Sequence, residues 1–117
     1  MSEPLLELVL AALDDLKALD VRSIDVRELT SITDYMVIAT GTSNRHVKSL
    51  GDSVIEKAKA AGFRPLGVEG QGKAEWVLID LGDVVVHTMQ ADTRDFYQLE
   101  KLWDVAGERF PATQPEL

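Results

Sequence analysis

Hydrophobic residues near the start of the chain recur every three or four positions. This spacing predicts an amphipathic helix over residues 4–19, with its apolar side chains along one stripe. Ser2 is placed to cap this helix, and Pro4 suits its first turn, where a missing N–H is tolerated. The apolar stripe consists of Leu5, Leu8, Val9, Ala12, Leu13, Leu16 and Leu19.

Two strands follow, each indicated by a different pattern. Within residues 21–28, Ile24 and Val26 alternate with charged residues, which is the period of a half-buried strand. Residues 35–39 are continuously apolar, which favours a short strand buried on both faces. The polar residues 30–34 predict the turn between the two strands.

A second helix and a third strand come next. Ser43 is a good N-cap for the helix, and Gly62 stands where a left-handed C-cap belongs. Gly51 is unfavourable inside a helix, so we expect it to allow close packing against a sheet. Residues 65–69 are predicted as a short strand, and this strand–helix–strand succession predicts a right-handed parallel crossover. The stripe of the second helix consists of Val47, Leu50, Gly51, Val54, Ala58 and Ala61.

The stretch from Glu75 to Gln90 predicts a β-hairpin. Two apolar runs flank Gly82-Asp83, a two-residue loop of the kind that accepts positive φ. A turn at this place sets the register of the whole hairpin. The predicted pairs are Leu81 with Val84, Ile79 with Val86, Val77 with Thr88, Asp80 with Val85, Leu78 with His87, and Trp76 with Met89.

The two faces of this hairpin differ in chemistry. The first face is almost purely aliphatic, which suits packing under helices, and consists of Val77, Ile79, Leu81, Val84, Val86 and Thr88. The second face mixes apolar and polar groups and consists of Trp76, Leu78, Asp80, Val85, His87 and Met89. Such a mixture is typical of a protein-binding patch, which we expect to face outward. The alternative is a second core face in which His87 and Asp80 are paired.

A third helix is predicted from Thr93 to Ala106, with Asp92 or Thr93 as its cap. Its inner stripe is predicted to contain Phe96, Leu99, Trp103 and Ala106, leaving Arg94, Tyr97 and Lys101 on another stripe. Gly107 ends the helix, and the residues beyond it show no periodicity. We therefore predict one domain over residues 1–106 and a loose tail over residues 107–117.

Composition narrows the possible functions. The chain has 117 residues, of which 45% are hydrophobic and 27% charged, as expected for one globular domain. It contains no cysteine, which excludes disulfides and thiolate chemistry and fits a cytoplasmic protein. No apolar run is long enough to cross a membrane. The net charge of −8 disfavours nucleic acid and anionic membranes, so we expect a basic partner and little direct nucleic-acid binding.

Motifs that suggest catalysis are each incomplete. The run from Gly67 to Lys73 fits a phosphate-binding loop, but Ala74 replaces the hydroxyl residue and a strand follows where a helix is needed. Ser43, Asp80 and His87 occur in the chain order of a hydrolase triad, but the second glycine of the nucleophile turn is absent. The sequence therefore predicts no catalytic residue, metal ligand or cofactor site.

One enzymatic alternative remains open. Asp80, Asp83 and His87 lie close together in the predicted hairpin and could serve a small enzyme similar to nucleotidyltransferases. The Gly41-Thr42-Ser43 turn also suits such an enzyme, but no carboxylate follows it to hold a metal. Convergence of the three side chains on one pocket would favour this alternative.

Several strings in the chain resemble the ribosomal silencing factor (Iojap-related) family. They lie in order and at a specific spacing between about residues 4 and 103, and the tail after Trp103 matches no family motif. The strings are Ser31-Ile32-Thr33-Asp34-Tyr35, Gly41-Thr42-Ser43-Asn44-Arg45-His46-Val47, Gly67-Val68-Glu69-Gly70, the hairpin from Glu75 to His87, and the run from Arg94 to Trp103.

The resemblance implies a fold, a function and a site. The implied fold is α/β, a mixed and mostly five-stranded sheet with flanking helices, similar to nucleotidyltransferases, in the order α-β-β-α-β-β-β-α. The implied function is a non-enzymatic translation repressor that binds the large ribosomal subunit through its protein number fourteen and blocks subunit joining in starvation. Family members often form homodimers. Combined with the mixed hairpin face, the resemblance gives a candidate partner-binding set of Trp76, Leu78, Asp80, His87, Met89, Arg94 and Tyr97.

Overall fold

A computed structural model describes residues 3–99 and 101 as a five-stranded sheet flanked by helices. The order of elements is α-β-β-α-β-β-β-α, which confirms the predicted order. The elements are α1 (Glu3–Asp15), β1 (Leu19–Asp25), β2 (Tyr35–Gly41), α2 (Asn44–Ala60), β3 (Gly67–Glu69), β4 (Trp76–Asp80), β5 (Val84–Gln90) and α3 (Ala91–Tyr97). In the part of the chain that is described, no helix is both long and apolar enough to span a bilayer.

The sheet has the spatial order β1-β2-β5-β4-β3 and is mixed. The central strands β2 and β5 are parallel, while the other neighbouring pairs are antiparallel. It follows that β2 and β3 run in the same direction, as the predicted crossover requires. They are not neighbours, however, because β5 and β4 lie between them.

The main core lies between one face of the sheet and helices α1 and α2. The aliphatic face of the β4–β5 hairpin is buried there, as predicted. A Cβ atom on Gly51 of α2 would lie 3.2 Å from Cγ1 of Val77, so this glycine does permit close packing on the sheet. Helix α1 contributes Leu5, Val9, Ala12 and Leu13 to the same core.

Both ends of α2 follow the sequence prediction. The hydroxyl of Ser43 accepts from the backbone N–H of His46 at 3.1 Å, as an N-cap does. At the other end, Gly62 has φ +93° and its N–H donates to Lys59 O, while the N–H of Phe63 donates to Ala58 O. These two bonds form a Schellman motif, which ends the helix.

Helix α1 ends earlier than predicted. It stops at Asp15, where the N–H of Ala18 donates to Leu13 O at 3.0 Å and Lys17 takes φ 60°. This is again a Schellman-type end, but with lysine in the left-handed position that glycine usually occupies. The predicted stripe therefore runs too far: Leu19 already belongs to β1 and is 49% exposed.

A smaller core covers the opposite face of the sheet and involves the segment after β5. It is formed by Val26, Met36, Ile38, Met89 and Leu99. Helix α3 begins at Ala91, directly after β5, and no side chain caps it, so the predicted cap at Asp92 or Thr93 is wrong. The helix ends at Gln98, which has φ 49°.

Because α3 is confined to Ala91–Tyr97, the predicted inner stripe of a longer helix does not form. Phe96 was predicted on the inner stripe but is 79% exposed, whereas Arg94 is buried and Leu99 is confirmed as a core residue. Residues two positions apart in a helix point in roughly opposite directions, so Arg94 and Phe96 exchange places together. The predictions for residues 102–117, including the tail over 107–117, lie outside the described residues.

Candidate partner-binding surface

The β4–β5 hairpin has the predicted turn and register. Gly82 takes φ +88°, and the N–H of Leu81 donates to Val84 O at 2.9 Å. The cross-strand pairs run from Asp80 with Val85 to Trp76 with Met89, as the sequence predicts. The mixed face is therefore one continuous surface of the sheet.

This mixed face does not point outward along its whole length, which corrects the prediction for two of its members. Met89 is fully buried, and only 7% of the surface of His87 is exposed to solvent. Helix α3 follows β5 without a linker, so the chain from Ala91 onward folds back over this face. Leu99 is thereby placed in the same buried cluster as Met89. Four members remain partly exposed, namely Trp76, Leu78, Asp80 and Val85.

A hydrogen bond joins a half-buried and a buried member of this face. The indole Nε1–H of Trp76 donates to Nδ1 of His87 at 2.9 Å. Burial lowers the pKa of His87 to about 4, so the imidazole is neutral near neutral pH. A neutral ring that accepts through Nδ1 carries its proton on Nε2.

Three aromatic side chains form a row that runs from the half-buried Trp76, packed against the smaller core, to the exposed Tyr97 and Phe96, and we call this row the aromatic ridge. The ring centroids of Trp76 and Tyr97 are 4.9 Å apart, and those of Tyr97 and Phe96 are also 4.9 Å apart. Tyr97 is 43% exposed and Phe96 79% exposed. The ridge therefore displays the aromatic surface in which binding hot spots are enriched.

Sequence reasoning missed Phe96 as a member of this surface. The sequence predicts a helix that continues to Ala106, and on such a helix Phe96 lies on the inner stripe with Leu99. In the structure the helix ends at Tyr97, and Gln98 takes φ 49°, so Phe96 and Leu99 do not lie on one helical stripe. No residue type in the sequence signals this break, because glutamine rarely adopts a left-handed conformation.

Arg94, a predicted contact residue, is buried and holds the structure together. The Nη1 atom of Arg94 donates both to Asp20 O at 2.7 Å and to the hydroxyl of Thr40 at 2.8 Å. Asp20 has φ 52° and lies where the β1–β2 register shifts, which turns its carbonyl toward α3. Arg94 therefore ties α3, the helix that carries Phe96 and Tyr97, to the first two strands.

The residues of the enzymatic alternative are not brought together as a metal-binding set. Oδ1 of Asp80 accepts from the N–H of Gly82 at 2.9 Å and stabilises the turn, while Asp83 is exposed at the turn. Within residues 3–99 and 101, no group of three or more His, Asp or Glu side chains is arranged to hold a metal ion.

The glycine-rich run before β4 packs closely against the backbone at the start of the hairpin. Gly70 has φ +89°, and a Cβ atom there would overlap the carbonyl oxygen of Trp76. The glycine thus allows two backbone segments to approach closely, next to the ridge. This accounts for the apparent phosphate-loop motif as a packed turn.

The fold and the ridge define a small α/β domain with a mixed sheet and an exposed aromatic surface. Comparison with known proteins identifies the family to which this domain belongs. The chain belongs to the ribosomal silencing factor family: the family model "RsfS: Ribosomal silencing factor during starvation" matches residues 1–116. The resemblance seen in the sequence is confirmed.

Individual relatives agree with this assignment. The chain is 50% identical over 99 residues to the protein named ribosomal silencing factor RsfS of Haemophilus influenzae, covering 85% of this chain and 97% of that protein. It is 33% identical over 101 residues to the mouse protein named mitochondrial assembly of ribosomal large subunit protein 1, covering 84% of this chain and 44% of that one. Membership associates the chain with the silencing of translation on the ribosome.

A crystal structure confirms the fold class. The crystal structure of a protein from Chromobacterium violaceum superposes with a TM-score of 0.88 and is 43% identical, covering 96% of this chain and 93% of that one. The mixed five-stranded sheet with flanking helices is therefore shared with an experimentally determined relative.

Proposed function

We propose that this protein is a translation repressor that binds the large ribosomal subunit and sterically prevents the small subunit from joining it. Its proposed contact is the large-subunit protein number fourteen, with the aromatic ridge at the centre of the interface. The repression acts in starvation, needs no cofactor and involves no chemical reaction. We further propose that it acts in the cytoplasm, where its target subunits are.

Two names support a regulator that acts on the ribosome, and the second of them points to the large subunit. The family is named for silencing during starvation, and that name describes regulation rather than catalysis. The mouse relative is named for assembly of the ribosomal large subunit. Steric exclusion is the simplest mechanism for a single small domain that binds a surface used by another subunit.

The aromatic ridge is the observation that carries the proposal. Trp76 and Tyr97 pack at 4.9 Å, and Phe96 extends the row into solvent with 79% of its surface exposed. Aromatic side chains bury large areas at low entropic cost and dominate the energetics of many interfaces. Leu78 and Asp80, partly exposed on the same face of β4 as Trp76, would extend the contact.

Net charge supports a basic partner. The chain carries −8 at neutral pH, which would attract a basic ribosomal protein over long range and repel bare RNA. Charge then governs how often the two proteins meet, while the aromatic centre supplies most of the affinity.

Subunit joining tests the proposal. Purified large and small subunits are mixed with the protein, and sucrose-gradient sedimentation measures how many join. We expect inhibition at stoichiometric amounts without any nucleotide. Trp76→Ala should weaken binding to the large subunit by about 2 kcal/mol, which is roughly thirtyfold in affinity.

The matched control is Leu66→Ala, which removes a side chain that is 75% exposed on the segment before β3. It should inhibit as well as the unmodified protein. Full inhibition by Trp76→Ala would remove the ridge from the interface, and inhibition only with ATP would favour an enzyme. We also propose that the protein forms a homodimer, as the family resemblance implies, and sedimentation of the protein alone tests this.

A further inference from the structure

The single hydrogen-bond donor of the Trp76 side chain is used inside the protein. Its Nε1–H donates to Nδ1 of His87 at 2.9 Å, and the two ring centroids lie 5.9 Å apart at an angle of 45°. An indole ring has no other polar hydrogen. A partner that docks on Trp76 therefore meets carbon atoms and the π-electron surface.

The acceptor in this pair is held in the required state by its surroundings. His87 retains 7% of its exposure, and burial lowers its pKa to about 4. The ring is thus neutral across the physiological range, with the lone pair of Nδ1 available to the indole. His87 itself lies in the middle of β5, paired with Leu78 of β4, so its backbone position is fixed.

Tyr97 constrains the indole as well. Its ring lies 4.9 Å from that of Trp76 at an angle of 49°. A side chain hydrogen-bonded to a buried acceptor and packed against a neighbouring ring loses its freedom to rotate. Little entropy then remains to be lost on binding, which increases affinity.

We propose that His87 is a positioning residue for the aromatic ridge, which fixes the Trp76 indole and takes up its N–H, so that Trp76 binds a partner through its ring surface alone. This inference rests on the proposed function, because the ridge is the proposed docking site. It also defines the chemistry of the complementary site on the partner.

The group that meets Trp76 should be aliphatic or cationic. An arginine or lysine side chain over the ring gains a cation–π attraction, and the acidic character of the chain favours such a partner. A carbonyl or carboxylate directed at the indole nitrogen would gain nothing, because the N–H is already satisfied by His87.

Two substitutions at position 87 separate positioning from packing. His87→Leu removes the acceptor at similar volume, whereas His87→Asn places a side-chain oxygen where Nδ1 was. We expect His87→Leu to weaken binding to the large subunit by about tenfold, and His87→Asn to keep most of the affinity. In a Trp76→Phe background, which has no indole N–H, the same His87→Leu change should have little further effect.

Nuclear magnetic resonance of the free protein provides a readout that does not depend on the ribosome. The Trp76 indole N–H signal, assigned by its loss in Trp76→Phe, should be shifted downfield and protected from exchange. The signal should lose that protection in His87→Leu and regain it in His87→Asn.

The outcomes distinguish this inference from the proposed function. If the unmodified protein fails to bind the large subunit, the proposed function is wrong, and the inference falls with it. If the unmodified protein binds, and folded His87→Leu binds equally well, only the positioning role is wrong. An unprotected indole N–H in the unmodified protein would also overturn it.

Discussion

Arg94 and His87 are buried polar residues whose hydrogen bonds fix the two elements that carry the aromatic ridge, α3 and β4. Both carry side-chain hydrogen bonds that fix a neighbouring element: Arg94 to Asp20 O and the Thr40 hydroxyl, His87 to the indole of Trp76. Buried polar groups are retained when their partners are satisfied, and they are expensive to truncate. The ridge therefore depends on residues that a partner would scarcely touch.

Replacing the buried arginine should destabilise the domain. Arg94→Met keeps much of the side-chain volume but leaves Asp20 O and the Thr40 hydroxyl without this donor. We expect a loss of about 2 to 3 kcal/mol in the free energy of unfolding, measured in urea. The control is Arg64→Met at an exposed position, which should change stability by less than about 0.5 kcal/mol.

Stability should also depend on pH through His87. Its pKa falls from the ordinary 6.5 to about 4 on folding, so the unfolded chain binds the proton more tightly. The stability that His87 contributes is therefore fully present above pH 6.5, the pKa of its ordinary state, and is lost as the pH falls toward the folded-state pKa of about 4. We expect a loss of about 2 kcal/mol between neutrality and about pH 5.

Urea unfolding at both pH values measures this effect, and His87→Asn is the comparison because it cannot titrate. The variant should show a smaller drop in stability over the same interval. An equal drop in both proteins would show that other groups cause the acid sensitivity.

At the scale of elements, the sequence predicted the hairpin and both ends of α2 correctly, but it placed β1 two to three residues too late along the chain and missed the end of α1 and the start of α3. The hairpin register followed from one glycine-containing turn, because strand side chains alternate with a period of two and one fixed pair determines the rest. The start of α3 was wrong because no residue marks it: the helix follows β5 without a turn and without a side-chain cap. The end of α1 was missed because Lys17 adopts a conformation that usually signals glycine.

The turn before β4 gives a test at this scale. Gly70→Ala combines a positive φ with an overlap against the carbonyl oxygen of Trp76, so the start of β4 must move. We expect a loss of about 2 kcal/mol or more in unfolding free energy, together with a changed Trp76 fluorescence.

Gly72→Ala is the matched control, since a Cβ atom there has no neighbour within 4 Å. It should leave both stability and fluorescence nearly unchanged. Equal behaviour of the two variants would mean that Gly70 does not hold the hairpin in place.

For the whole molecule, fold class was readable from the sequence, but burial on the mixed face was not. Hydrophobic periodicity shows that Met89 and Trp76 share a face, and they do. It does not show what covers that face, because coverage by Leu99 depends on where a later segment folds back. Two of the seven predicted site residues, His87 and Met89, are for this reason buried, and a third, Arg94, is buried on α3 itself, where it bonds to Asp20 O and the Thr40 hydroxyl.

Net charge gives a prediction about the whole molecule. If the −8 charge attracts a basic partner, raising the salt from about 0.05 to 0.3 M should slow association with the large subunit several-fold. Dissociation should change little, because contacts at the aromatic centre are not screened. Stopped-flow mixing at constant magnesium measures both rates, and a salt-independent association rate would contradict electrostatic attraction.

The parallel pairing of β2 with β5 has a consequence for the order in which the chain can fold. Tyr35 at the start of β2 meets Val84 at the start of β5, with α2, β3 and β4 between them in sequence. During synthesis the middle of the sheet must therefore stay incomplete until β5 has left the exit tunnel, however early α1 and α2 form. The nascent chain would acquire its native centre, and the support for Trp76, only near the end of its own translation.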